Sequence, residues 1–221
     1  MNYNYDIVNF NPKPITIVTL DKPIFTPKLV KGLTNLTYAK RSDECEVSIS
    51  LSTDHYVLNN PAYKSVRKIM DDTVANYLVN ILNINNKFKM TNSWITKNVK
   101  GARHHIHNHP NVMLSAICYF NEDLVDEEFA PIVFYSNERN PIFEHYQFEM
   151  DIKEYNIYNS ISWTIAPRLN QIFIFPAHLE HKTIPNASSK TRYCLGTNYF
   201  IDGIVGREET TSKLNIKIVG D

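Results

Sequence analysis

The sequence predicts a mainly β fold with flanking helices, of the jelly-roll or related barrel kind. Three observations predict it. Beyond the middle of the chain's first half, apolar residues gather in short runs rich in β-branched and aromatic side chains. Pro, Asn and Asp separate those runs. One stretch upstream repeats instead at three and four residues, the period of a helix lying with one face on a core.

Residues 1–60 read as extended segments and loops, because Ile15–Leu20 and Glu46–Leu51 alternate apolar and polar residues. Asn60-Pro61 then supplies a helix start, with asparagine as cap and proline at the first helical position. From there Val66, Ile69, Met70, Val74, Tyr77, Leu78, Ile81 and Leu82 predict a helix over about 62–82, ended by Asn83, Asn85 and Asn86. Strands are expected at Lys89–Val99, Val112–Phe120, Ile132–Tyr135, Ile172–Phe175 and Tyr193–Phe200, with a last one at Leu214–Val219. The polar and aromatic stretch 136–162, carrying Phe143, His145, Tyr146 and Phe148, is long enough to serve as a lid over a pocket. With 221 residues and no internal repeat, the whole of 1–221 is expected to form one domain, with the helix packed on the barrel.

Bulk chemistry narrows the function. Lys+Arg and Asp+Glu are both 23, so no net field draws nucleic acid or an anionic membrane. No run of apolar residues is long enough for an ordinary membrane span, and no secretory signal is visible. Cys45, Cys118 and Cys194 are odd in number and widely spaced, as free thiols of a reducing compartment would be. A cytoplasmic protein is expected.

The chemistry concentrates in histidines. His104, His105, His107 and His109 crowd together, and His181 follows far downstream after Phe175-Pro176. Residues two apart on a strand share a face, so His107 and His109 can present both rings to one metal ion. His181 closes the set if the fold brings two strands together, and His105 is a weaker fourth candidate. The usual oxygenase site adds a carboxylate to two histidines. Here no Asp or Glu lies between Asp72 and Glu122, so an acid would have to come from elsewhere, such as Glu144 or Glu180. Three neutral imidazoles are the more economical set. Another arrangement has one of the first pair outside the ligand set and water in its place. Arg192, on the run after His181, is a buried unpaired charge if it points inward, unless a ligand carboxylate meets its guanidinium fork.

The ordered set Leu51–Leu58, Asn92-Ser-Trp-Ile95, His107-Asn-His-Pro-Asn111, Leu114–Tyr119, Phe175–His181, Thr191-Arg192, Asn198 and Ile201–Gly206 resembles a family of 2-oxoglutarate- and iron(II)-dependent oxygenases common in marine bacteria and phages. The resemblance spans most of the chain. It implies a double-stranded β-helix (jelly roll, cupin-like). It also implies Fe(II) held by His107, His109 and His181, and 2-oxoglutarate held by Arg192. Dioxygen and an unidentified substrate would be the other partners, in the host cytoplasm if the source is a phage. Ala116 and Val112 depart from the glycine and serine of the pattern, and Asn170 stands where a turn glycine is common. Cys194 replaces a serine that helps bind the cosubstrate, and Tyr119 offers a compensating hydroxyl. Two other readings are a three-histidine zinc hydrolase and a non-catalytic jelly-roll interaction protein with a vestigial site.

Overall fold

The computed structural model describes residues 14–41, 47, 49–136, 151–206 and 212–219. In chain order the elements are β1 (Thr16–Thr19), α1 (Pro27–Thr34), β2 (Tyr38–Lys40), β3 (Ser50–Ser52), α2 (Lys64–Asn80), β4 (Lys87–Asn98), β5 (Leu114–Asn121), β6 (Ile132–Tyr135), β7 (Ser162–Ile165), β8 (Gln171–Pro176), β9 (His181–Thr183), β10 (Arg192–Val205) and β11 (Leu214–Ile216). They form a mixed sheet-and-helix fold. A large sheet runs β1-β8-β5-β10-β4-β3-β2, with β11 joined to the far end of β10, and a small sheet runs β7-β6-β9. All the named strand pairs are antiparallel.

Alternation along the central strands gives the large sheet two different faces. On one, Leu114, Ala116, Cys118 and Phe120 of β5, with Ile172 and Ile174 of β8, meet Val66, Met70, Val74 and Tyr77 of α2 and Val30 and Leu33 of α1. On the other, Ile117 and Tyr119 of β5 and Phe173 and Phe175 of β8 meet Ile132 and Phe134 of β6 in the small sheet. The candidate functional site lies on this second face.

The expected helix is present in tighter form. Asn60 caps a short 3-10 turn at Pro61–Tyr63 by accepting from the Ala62 N–H, and α2 continues from Lys64. Beyond α2, Asn83 adopts a left-handed φ of 52°, a conformation asparagine tolerates. Asn170, where the sequence pattern favours glycine, likewise has φ 61°, and its side chain accepts from the Ile24 N–H.

Three expectations need correcting. The first sixty residues are not only extended: α1 forms there, capped by Thr26 and opened by Pro27. With eight residues and two buried positions it is too short to show a period. The short strands β7 and β9 were not anticipated, because three or four residues carry no readable alternation. β10 runs through fourteen residues, past a bulge at Asn198/Tyr199, well beyond Tyr193–Phe200. Most of the 136–162 stretch, with Phe143, His145, Tyr146 and Phe148, lies outside the described residues, as do Cys45 and Glu144. No helix among the described residues is long and apolar enough to cross a membrane.

Candidate metal centre

The second face of the large sheet reads as four rows across β4, β10 and β5. In register these are Asn98–Arg192–Asn121, Thr96–Cys194–Tyr119, Trp94–Gly196–Ile117 and Asn92–Asn198–Ser115. A strand rises about 3.3 Å per residue, so neighbouring rows are roughly 7 Å apart. The arginine end and the histidine-anchoring end therefore lie at opposite limits of one polar strip.

His107 and His109 lie not in a named strand but in an extended segment clamped to the turn before β9. The His107 N–H and His181 N–H each donate to the other's carbonyl at 2.9 Å, and the His109 N–H donates to the Ala177 carbonyl at 2.9 Å. This pairing brings the two distant sequence segments side by side. The ligand-capable nitrogens of His107, His109 and His181 then lie within 4.8 Å of one another.

Hydrogen bonds fix how the three rings are presented. His107 Nδ1 donates to the His105 carbonyl and His181 Nδ1 to the Leu179 carbonyl, both at 2.9 Å. His109 Nδ1 lies 2.7 Å from Asn198 Oδ1 and 2.6 Å from Ser115 Oγ, while Ser115 Oγ itself donates to Asn198 Oδ1 at 2.8 Å. The proton on each ring therefore sits on Nδ1, which leaves every Nε2 lone pair free for an ion. Outer partners of this kind fix ring orientation and raise ligand basicity. Burial, with neighbouring imidazoles adding, pushes His181 down to about 4 and His107 down to about 3, and it lowers His109 as well. All three are neutral near pH 7, the state that binds metal.

The neighbours of these rings include residues that pattern reading passed over. His104 stacks on His107 with ring centroids 3.8 Å apart, and burial together with His107 and Arg41 keeps it neutral. Trp94 meets His109 edge-on at 5.5 Å. The indole lies across Gly196, where any Cβ would collide with it, so a glycine is required at that point of β10. His105 is near His107 but outside the converging set. Glu180 is exposed, on the side of the chain away from buried His181, and no carboxylate lines the pocket among the described residues. The register explains what single residues could not: the functional positions on β10 are every second one from Arg192 to Asn198.

Arg192 sits at the other end of the strip and is 3% exposed. Its Nη1 donates to the Ala130 carbonyl at 2.6 Å, and the guanidinium lies 5.2 Å over the Tyr119 ring. Its Nε has no hydrogen-bond partner. The Cys194 thiol points to the Leu195 carbonyl at 3.7 Å, with the Tyr119 side chain opposite it on the neighbouring strand. Burial raises the Tyr119 hydroxyl and pushes the Cys194 thiol up to about 12, so neither is ionised. The strip encloses a cavity of about 40 Å³ bounded by the three histidines, Trp94, Tyr119 and Arg192. Arg192 also walls a second cavity of about 200 Å³, between residues 127–131 and 184–191.

The converging neutral imidazoles could hold a metal ion, and the buried guanidinium at the other end of the strip could meet an anion. Residues 92–198, a little under half of the chain, match a family model described as a putative 2OG-Fe(II) oxygenase, and that stretch is homologous to this superfamily. No curated protein matches the sequence significantly. Among solved structures, a prolyl hydroxylase from Trichoplax adhaerens, in complex with a hypoxia inducible factor oxygen degradation domain peptide fragment, is 13% identical with a TM-score of 0.58. It covers 86% of this chain and 84% of its own. A Pseudomonas putida prolyl-4-hydroxylase is 10% identical with a TM-score of 0.54, over 86% and 94%. HygX from Streptomyces hygroscopicus, with nickel, 2-oxoglutarate and hygromycin B bound, is 11% identical with a TM-score of 0.55, over 85% and 83%. At these identities the likeness establishes the fold: that of the 2OG oxygenase, cupin-like superfamily.

Proposed function

We propose that the chain is a single-domain 2-oxoglutarate- and Fe(II)-dependent dioxygenase, its two sheets forming a double-stranded β-helix. The observation that carries this reading is the pairing of two half-sites on one sheet face. Three imidazoles converge with free Nε2 lone pairs, and a buried guanidinium with an unused N–H lies beyond them on the same strip.

In this reading His107, His109 and His181 hold the iron, and Arg192 holds the distal carboxylate of 2-oxoglutarate. Iron(II), when bound, supplies dioxygen activation coupled to decarboxylation of the 2-oxo acid. The chain's own residues do the rest. Arg192 meets the dianion with a charge already desolvated, a setting in which a hydrogen bond to a carboxylate is strong. Tyr119 supports the guanidinium from below through its ring face. Ile117, Ile132 and Trp94 line the space between the half-sites and exclude water. A cavity of about 40 Å³ holds a water or two rather than a dicarboxylate. Loading therefore calls for the lining side chains to move apart. Three neutral ligands leave the centre more positive than a carboxylate-bearing one, which favours an anionic cosubstrate. A three-histidine zinc hydrolase would leave Arg192 without a role.

Anaerobic titration of the apo-protein with Fe(II) and then 2-oxoglutarate tests the proposal. The expected result is a saturable visible charge-transfer band, lost in Arg192→Met and His181→Ala. Iron binding without a band would point to other metal chemistry, and no iron binding to a vestigial site.

A further inference from the structure

We infer that Asn98 is a second carboxylate-binding residue, which clamps the distal carboxylate of the 2-oxo acid together with Arg192. The inference rests on the reading above and names a residue that no motif singled out. Among the described residues, two buried side-chain polar atoms lack a hydrogen-bond partner: Arg192 Nε and Asn98 Oδ1. They belong to directly opposed residues of β10 and β4. Both residues line the cavity that also holds the three histidines. Asn98 is 2% exposed.

An orphaned buried polar atom is rare because it has given up water for nothing. Two of them on directly opposed residues, a donor on one strand and an acceptor on the next, do not satisfy each other and are not explained by folding. A carboxylate seated there meets the Arg192 donor as it stands, and meets Asn98 once the amide, whose Oδ1 holds no bond to lose, is turned. The amide has nearly the same shape either way round, so a half-turn about its terminal bond presents Nδ2–H₂ to the site. One carboxylate can then accept from Arg192 Nε–H and Asn98 Nδ2–H at once.

The chemistry of the next row supports this assignment. The Cys194 thiol is turned to the Leu195 carbonyl and offers no donor to an incoming anion. Asn98, on the neighbouring strand, is the amide placed to supply one beside Arg192.

The test compares 2-oxoglutarate with 2-oxopentanoate, which carries a methyl group in place of the distal carboxylate. Both are titrated anaerobically into the Fe(II)-loaded protein. Asn98→Ala is expected to weaken 2-oxoglutarate roughly 10- to 100-fold, the size of one hydrogen bond to a charged group, and to leave 2-oxopentanoate unchanged. Asn98→Asp is expected to weaken 2-oxoglutarate further, because its carboxylate pairs with Arg192 in place of the ligand's. Asn98→Leu keeps the side chain's volume and is expected to repeat the alanine result with undiminished thermal stability, since Oδ1 makes no bond to lose. Binding of 2-oxoglutarate to Asn98→Ala within twofold of the parent overturns the inference, and so does an equal loss of both ligands. If the parent protein itself takes up iron but no 2-oxoglutarate, the dioxygenase reading fails and this inference with it. That outcome is distinct from failure of Asn98 alone, in which the parent binds and the variant binds equally well.

Discussion

The histidine end and the arginine end of the polar strip are built on opposite plans. At the histidine end every ring has its Nδ1 bonded to a carbonyl, an amide or a hydroxyl, so the rings are oriented before any ion arrives. At the arginine end, two buried atoms on opposed residues have no partner. The first end is complete as protein. The second leaves hydrogen-bonding capacity unused around a desolvated cation, which costs stability. A metal ion needs lone pairs held at fixed spacing, whereas an anion needs donors left unused. One sheet face supplies both because alternate residues of three strands bring them to it.

The largest effect is expected from His181→Ala. It removes one of three lone pairs from a preoriented set, and stoichiometric iron binding should be lost. Retention of one iron per chain, measured by metal analysis after dialysis, would break the claim that this end is a three-imidazole site. Arg192→Met separates the two ends in the other direction. 2-oxoglutarate affinity should fall by about 100-fold or more, while iron binding persists and the apo-protein melts no lower, because a buried unpaired charge has been replaced by an apolar chain of similar length. A clear drop in melting temperature would show that Arg192 serves the fold and not the ligand.

Smaller effects sharpen the contrast. Ser115→Ala removes one of the two acceptors around His109 Nδ1 and should weaken iron by roughly tenfold through loss of ring orientation. Unchanged iron affinity would show that Asn198 alone orients the ring. The smallest effect concerns pH. His181 and His107 titrate at about 4 and about 3 in the fold, below the ordinary value near 6.5 of an unfolded chain. Between those limits the unfolded state binds more protons, so apo-protein stability should be full above about pH 6.5 and decline as pH falls toward 4 and then 3. Chemical denaturation across that range checks the sign. His181→Ala should lose part of the slope.

Much of this was legible in the sequence, for definite reasons. α2 announces itself because burying one face of a helix imposes a period over many residues, and the cores of β4, β5, β8 and β10 because central strands are runs rich in β-branched and aromatic residues. Asn60 marks a turn by capping it with its side chain, and Asn83 and Asn170 mark theirs through the left-handed conformation that asparagine tolerates. His107, His109, His181 and Arg192 were legible as residue types that are costly to bury and are gathered in order. α1, β7 and β9 were not, being shorter than any period they could display.

What the sequence determined by itself was the inventory: which side chains carry lone pairs and charge, and which segments must pack. Only the tertiary structure decided their partners. The antiparallel clamp between His107 and His181 brings together rings that lie far apart in the sequence. The register of β10 with β4 and β5 sets Asn98 beside Arg192 and Ser115 beside Asn198. A shift of one residue in either pairing would turn the whole polar strip to the other face of the sheet. Register is fixed by the burial of every residue on both faces at once, a property of the assembled core that no single strand contains.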